Sequence, residues 1–426
     1  MKKLAIILLF YCLYQQGACQ EKSLSSQQLT NKEVEEIFLT QNLSLLAERY
    51  KIQHAEALKL QASYWPNPEF AVEEINLFSN KTAEKLPSLI GSYGQRQQIS
   101  IAVEQLIETA GKRKKRIELQ DLLLQSAEID FAELLRNLKY ELRIMLLELQ
   151  QTQAEESLVK EQVQLLEELL KSYEKQAAAG NIAEVDVLRI KTENQHIKFE
   201  LQEISNRKIL RYTALKNLIN LPANQDITLN NLLVIDQYIP INRPDAYIHE
   251  ALLQRSDLQL ANQEIAIAKQ QETIARAEAK PDLRLGVAYD RGGNIMRDFI
   301  GLSLRSELPI FNRNKGAIKA ATLAVQHKEL LKEKLQQQLS NEITATISRL
   351  ALQQAHLESW DPALQLRMQQ TLHSYSKNLQ ANNLSLLAFL DFMQAYSTHQ
   401  RTLLTAQEEY LKTVEELQFT IGKDIL

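Results

Sequence analysis

The residue types that most often carry chemistry are scattered through this chain, and their spacing closes no site. Glu193-Asn194-Gln195-His196 has the Glu-x-x-His spacing of a di-iron helix. Such a site needs a second copy and two further glutamates, and none of the other six histidines follows a glutamate by three residues. His54, His196, His249, His327, His356, His373 and His399 are dispersed, as are Met145, Met296, Met368 and Met393, so no soft-metal chelate is visible. Gly292-Gly293 falls at a hairpin tip, without the strand-to-helix context of a phosphate loop. The sequence therefore predicts no catalytic residue, no cofactor and no resident metal.

The beginning of the chain sets its compartment. Met1-Lys2-Lys3, the apolar run Leu4 to Leu13 and the small residues Gly17-Ala18-Cys19 have the order of a secretory signal, 1–19. The run is shorter than the ~20 residues a permanent spanning helix needs, and no other run approaches that length. Both cysteines, Cys12 and Cys19, lie in this signal, so the exported body has neither disulfide nor thiolate site. Cleavage after Cys19 leaves Gln20 first. Cleavage before it leaves Cys19 first and open to lipid attachment, although Gln16 matches lipoprotein signals poorly. The formal charge of −4, falling to −6 once Lys2 and Lys3 are removed, offers no footprint for nucleic acid.

One stretch, Gly111 to Ala179, dominates the exported body. Phe131, Leu135, Leu138, Leu142, Met145 and Leu149, then Val159, Val163, Leu166, Leu170, Tyr173 and Ala177, alternate in steps of four and three. Thr152 and Glu156 dilute the row. A strict 3.5-residue period keeps one helix face against a neighbour and implies left-handed supercoiling. At 1.5 Å per residue the stretch reaches roughly 100 Å. A second row at Leu158, Leu165 and Leu169 predicts two neighbouring helices, as in a wall of staves.

Around that stretch an order of elements occurs twice. Residues 20–30 read as unstructured, and Asn31 to Ser63 as a helix stopped at Trp65-Pro66-Asn67-Pro68. Strands follow at about 68–78 and 97–107, the second with clean alternation from Gln98 to Glu104. Long helices at 111–179 and 182–221 turn at Gly180-Asn181 and complete a first repeat, 20–222. Residues 223–244, with Pro240 and Pro244, form an irregular equatorial connection. The order recurs in 245–426: a helix from Asp245 to Ala279 stopped at Lys280-Pro281-Asp282, strands at about 282–290 and 298–308, and long helices at 313–380 and 384–420 turning at Asn382-Asn383. Two copies make a duplication, not a solenoid.

Strands of about ten residues cross a bilayer when tilted. Four such strands cannot close, and open sheet edges are not tolerated in lipid, so other chains must complete the barrel. Two copies give eight strands and a filled interior; three give twelve strands and a lumen. The predicted fold is mostly α with a small β part: a duplicated helix, β-hairpin and long-helix-pair unit, forming a trimeric twelve-stranded outer-membrane β-barrel continued by a periplasmic α-helical barrel. Tyr64, Trp65, Phe78, Tyr93, Tyr289 and Phe299 near strand ends suit interfacial belts. Gly111 and Gly316 supply backbone freedom where strand becomes helix, and Pro309 suits a strand end. Lys112-Arg113-Lys114-Lys115-Arg116 reads either as a solvated basic face or as an anchor to anionic lipid, worth ~1 kcal/mol per cation.

At Glu104-Gln105-Leu106-Ile107-Glu108-Thr109-Ala110-Gly111-Lys112-Arg113, and again at Leu308-Pro309-Ile310-Phe311-Asn312-Arg313-Asn314-Lys315-Gly316, the sequence resembles the TolC-like outer-membrane efflux family. Its wording is most similar to the heavy-metal (cobalt-zinc-cadmium type) resistance branch. The resemblance spans nearly all of the mature chain. It implies a homotrimer in outer-membrane lipid, docked through a periplasmic adaptor (membrane fusion) protein to an inner-membrane pump of the resistance-nodulation-division type.

The resemblance also places functional positions. The hairpin tips Gly180, Asn181, Asn382 and Asn383 would ring the periplasmic entrance and dock the partner. Asp186 and Asp391 fall at aspartate positions of the family, where three copies of each would make cation-favouring carboxylate rings. Leu384 stands where the family carries an arginine and Ala388 where it carries an aspartate. That departure moves closure from salt bridges to packing of Leu384, Leu386, Leu387 and Phe389. The sequence thus predicts a passive exit duct. It leaves two other readings open: a secreted or periplasmic structural coiled coil, and an efflux adaptor.

Overall fold

The computed structural model describes residues 27–73, 75, 78, 85–92, 94–225, 227–230, 235, 237–240, 244–291, 298–380 and 385–425, without the side chains of 27 and 376–380. The signal with Cys19, the tips Asn382 and Asn383, Leu384, Tyr93 and Gly292-Gly293 lie outside them. In chain order the elements are β1 (Gln27–Leu29), α1 (Asn31–Gln41), α2 (Leu43–Ser63), β2 (Glu69–Glu73), β3 (Ile99–Ile107), α3 (Lys112–Ala178), α4 (Glu184–Leu218), β4 (Ile227–Leu229), α5 (Pro244–Gln254), α6 (Ser256–Glu278), β5 (Leu283–Arg291), β6 (Asp298–Ser306), α7 (Lys315–Glu358), α8 (Pro362–Gln380) and α9 (Leu386–Ile421).

Three helices expected to be continuous are broken. Asn42 separates α1 from α2 in an extended conformation, ψ 118°, and its side-chain amide donates to the Leu218 carbonyl at 2.7 Å. Arg255 separates α5 from α6 in the same way, ψ 125°, with its buried guanidinium held by Asp257 and by the Thr420 carbonyl at 3.1 Å. The third break, 359–361, precedes Pro362, which lacks an N–H and disfavours helical geometry in the residue before it. Asp361 Oδ1 then accepts the Ala363 amide at 2.9 Å and restarts the helix. The segment expected to be unstructured at 20–30 and the irregular connection also contain order. Gln27, Gln28 and Leu29 pair in parallel with Ile227, Thr228 and Leu229. Three-residue strands are too short to show alternation.

The described residues cluster into two compact units that do not follow the sequence repeats. One draws on Met1–Ser44, Asn137–Asn242 and Ala345–Phe419, the other on Leu45–Arg136, Arg243–Thr344 and Thr420–Leu426.

In the first unit the apolar row of α3 is a true core. Val159, Leu166 and Tyr173 of the first row, joined by Leu169 of the second, pack with Val187, Ile190, Ile197 and Ile204 of α4 and with Leu386, Phe389 and Met393 of α9. The α3 side chains thus meet two helices. The two polar residues in the row are buried and satisfied. Thr152 donates to the Glu148 carbonyl at 2.8 Å and accepts from Arg211. Glu156 accepts from Ser205 at 3.1 Å and Lys208 at 2.6 Å, with Lys160 at 3.1 Å. Burial alone would raise the Glu156 pKa, but the lysines hold it below the ordinary carboxylate range.

In the second unit a four-stranded antiparallel sheet has the order β2-β3-β5-β6. Its strands feed α3 and α7 and are fed by α2 and α6. Gln263 and Gln270, two turns apart on α6, donate to the α3 carbonyls of Leu122 at 2.7 Å and Lys115 at 2.8 Å. β2 is shorter than the expected 68–78, ending at Glu73.

Candidate membrane sheet and helical mouth

Opposed residues of an antiparallel sheet share a face, so the registers sort the side chains. One face carries the rows Val72, Ile101, Tyr289, Ile300 and Phe70, Val103, Val287, Leu302, with Leu285 and Leu304 beyond them. Leu302 is 87% exposed and Ile300 73%. An apolar face of this extent, bare of any covering element among the described residues, marks a membrane or partner contact.

The opposite face is small or charged apart from Phe299, beside Ser100 and Asp290, and Leu106: Ala71, Ala102, Ala288, Gly301, then Glu69, Glu104, Gly286, Ser303, then Arg284 and Arg305. Adjacent Glu69 and Glu104 are each matched by a cation, Arg284 at 3.0 Å and Arg305 at 3.0 Å. The second pair crosses over Gly286, where an added Cβ would fall 2.3 Å from Ser303 Oγ and 3.0 Å from Glu104 Cγ. Polarity therefore alternates over the central rows, apolar to one side and ion-paired to the other, while Gln105, Arg291 and Asp298 bring polar groups to the two ends of the apolar face. β2 and β6 form the edges and have no strand partner on their outer sides among the described residues.

Where strand becomes helix, Ala110 and Gly111 take left-handed backbone, φ 53° and 68°, and Lys115 N–H caps back to the Gly111 carbonyl at 3.0 Å. Gly316 does not play this part: it is the second residue of α7. The left-handed residue there is Asn314, φ 54°, whose N–H is accepted by Asn312 Oδ1 at 3.0 Å. Asparagine tolerates that region because its short side chain bonds locally. Pro309 sits in a tight turn closed by Ile310 N–H to the Leu308 carbonyl at 2.8 Å.

Most of the basic run makes contacts within the chain, and Lys114 stays exposed with Glu118 at 3.9 Å. Lys112 donates to Asp282 Oδ2 at 2.7 Å and to the Lys280 carbonyl at 2.9 Å. Arg113 donates to the Ser63 carbonyl and lies 4.6 Å over the Trp65 ring. Lys115 bonds the Ala110 carbonyl and Arg116 pairs with Glu108. Thr109 donates its amide to Asp282 Oδ1 at 2.9 Å. Burial opposes ionisation of Asp282, yet Lys112 and Thr109 hold its pKa below the usual value.

At the helical tip, α3 closes in a Schellman turn. Gly180 has φ 75°, its N–H reaches the Ala177 carbonyl at 2.9 Å, and Asn181 N–H reaches the Gln176 carbonyl at 2.9 Å. Asp186 lies in the first turn of α4, where the helix dipole favours an anion, with Arg189 at 3.6 Å. Burial, and then the charge of Asp186, push the Tyr173 phenol up. Asp391 is exposed on α9. No hydrogen bond or ion pair joins Asp186 to Asp391 among the described residues. Leu386 and Phe389 are already buried against α3 and α4, so of the apolar residues offered for closure only Leu387, 67% exposed, has a free side chain among those described.

The polar-face ion pairs and the Lys112–Asp282 contact were not anticipated. The signal for the ion pairs was the alternate strand positions, Glu69, Glu104, Arg284 and Arg305, opposite the apolar set; the Lys112–Asp282 contact joins residues far apart in sequence and had none.

No family model and no curated protein matches the chain. Solved structures do. CusC has a TM-score of 0.72 at 17% identity, covering 96% of both chains. The outer-membrane protein VceC of Vibrio cholerae has a TM-score of 0.71 at 19% identity over 93% of this chain and 97% of its own. The Campylobacter jejuni CmeC outer-membrane channel has 0.72 at 14% identity over 95% and 90%. The chain thus has the fold of outer-membrane channels, and these neighbours are channel proteins rather than enzymes.

Proposed function

We propose that this chain is the outer-membrane exit duct of a tripartite efflux pump, a passive conduit that three copies build together. The observation that carries this reading is the sheet: four strands with a bare apolar face, an ion-paired opposite face and two open edges. Open edges are excluded from lipid, and three such sheets close as twelve strands around a polar lumen. The paired long helices then form the periplasmic extension. The channel fold of its structural neighbours supports the same assignment.

In this reading residues 1–19 direct export and the two repeats 20–222 and 245–426 each supply one hairpin and one helical pair. The tips at Gly180-Asn181 and Asn382-Asn383 meet a periplasmic adaptor, which couples the duct to a resistance-nodulation-division type pump. Heavy-metal cations are the proposed cargo, on the wording of the Glu104–Arg113 and Leu308–Gly316 junctions, with Asp186 and Asp391 as cation-favouring rings at the mouth. Cell fractionation with crosslinking tests the assignment. A detergent-resistant trimer in the outer membrane is expected, and a soluble monomer refutes it.

A further inference from the structure

Inside one chain, the boundary between the two hairpins is fastened below the strands. Lys112, the first residue of α3, reaches Asp282 and the Lys280 carbonyl, and Thr109 reaches Asp282. The other boundary of the sheet, along β6, has no such fastening among the described residues.

The two helix entries are nevertheless built alike. Gly111 and Asn314 are both left-handed, their carbonyls accept Lys115 N–H and Ile318 N–H at 3.0 Å each, and Lys112 and Lys315 follow them. The two preceding helices also leave alike. Ser63 ends α2 and Glu278 ends α6, with Pro66 and Pro281 three residues on and Asn67 and Asp282 next. By this correspondence Lys315 stands for Lys112, Asn312 for Thr109, and Asn67 for Asp282. Lys315 and Asn67 have no side-chain partner among the described residues.

Strand direction brings these groups together between copies. β6 ends at Ser306 beside the helical side, and an antiparallel β2 of the next copy begins there at Glu69. We propose that Lys315 of one copy bonds Asn67 and the Trp65 carbonyl of the next, repeating between subunits the Lys112 contact made within each. Phe311, fully exposed, and Ile310, 60% exposed, lie along that boundary. They meet the free face of the neighbour's Trp65, whose other face carries its own Arg113. The contact rests on the trimeric reading above and names the residues that seal it.

The test uses the full chain in native outer membranes. Lys315→Cys combined with Asn67→Cys, treated with a short bismaleimide, gives covalent dimers and trimers on a denaturing gel, whereas either single variant gives monomers. Asn67→Asp, which restores the carboxylate found at Asp282, raises the temperature at which the trimer dissociates, and Lys315→Gln abolishes that gain. A trimeric native mass with no crosslink, or with an unchanged dissociation temperature in Asn67→Asp, overturns this contact and leaves the duct standing. A monomeric native mass overturns both.

Discussion

Replacing Lys112 by methionine removes a cation whose side chain is 9% exposed from a carboxylate that is 29% exposed. Methionine keeps the length and apolar stem, so the loss is electrostatic. A hydrogen bond to a charged group is worth ~1.5–3 kcal/mol, and breaking a fully buried pair costs ~3–5 kcal/mol. Asp282 reaches some water and keeps the Thr109 amide, which places Lys112→Met near the lower bound, about 2–3 kcal/mol. Urea unfolding in detergent reads this directly when Trp360→Phe leaves Trp65, beside the junction, as the only tryptophan. A cycle with Asp282→Asn isolates about 1–2 kcal/mol of coupling. Because the folded pKa of Asp282 is depressed, that coupling is full above the unfolded value of ~3.9 and disappears as pH falls through the folded one. A loss below about 0.5 kcal/mol, typical of an exposed pair, would refute the claim that this lysine fastens the hairpins.

The helix tips respond differently to one substitution. Gly180→Ala, at φ 75°, costs about 1 kcal/mol or more, while Gly316→Ala, inside α7, gains up to about 0.5–1 kcal/mol; thermal melts of the two variants compare them. Leu302→Arg on the apolar face lowers stability by ~2–4 kcal/mol if it lies near the bilayer midplane, whereas Ser100→Arg, opposite Asp290 on the polar face, leaves refolding into vesicles intact. Glu156→Gln destabilises at neutral pH, and the difference from the parent vanishes on acidification through the depressed folded pKa of Glu156, seen in pH-dependent melts. Joint Asp186→Asn and Asp391→Asn reduces single-channel cation selectivity, and unchanged selectivity removes these residues from the pore.

The long-range plan was legible because its signals are long. A seam from Phe131 to Ala177 spans about thirteen turns, and Leu283, Leu285 and Val287 alternate without interruption, so helix, strand and duplication could all be read. What escaped was local or depended on partners far apart in sequence. Asn42 and Arg255 interrupt amphipathic patterns that continue on both sides, and their extended backbone is held by Leu218 and Thr420, far along the chain. Pro362 carried a signal for the third break, but the apolar period on either side masked it. Gly316 misled because glycine suggests freedom wherever it occurs, while Asn314 met the need two residues earlier. Of the mouth, Gly180 sits in the turn its type demands. Leu386 and Phe389 show that an apolar residue beside a tip belongs as readily to the core of its own subunit as to a gate.

The central claim is that one face of the sheet meets lipid and the other lines a water-filled lumen. Single cysteines from 300 to 305 along β6, labelled in intact outer membranes with a water-soluble maleimide, test it most directly. The account predicts strict alternation: Gly301→Cys, Ser303→Cys and Arg305→Cys react, while Ile300→Cys, Leu302→Cys and Leu304→Cys stay protected until detergent is added. Equal labelling at all six positions before detergent would contradict it.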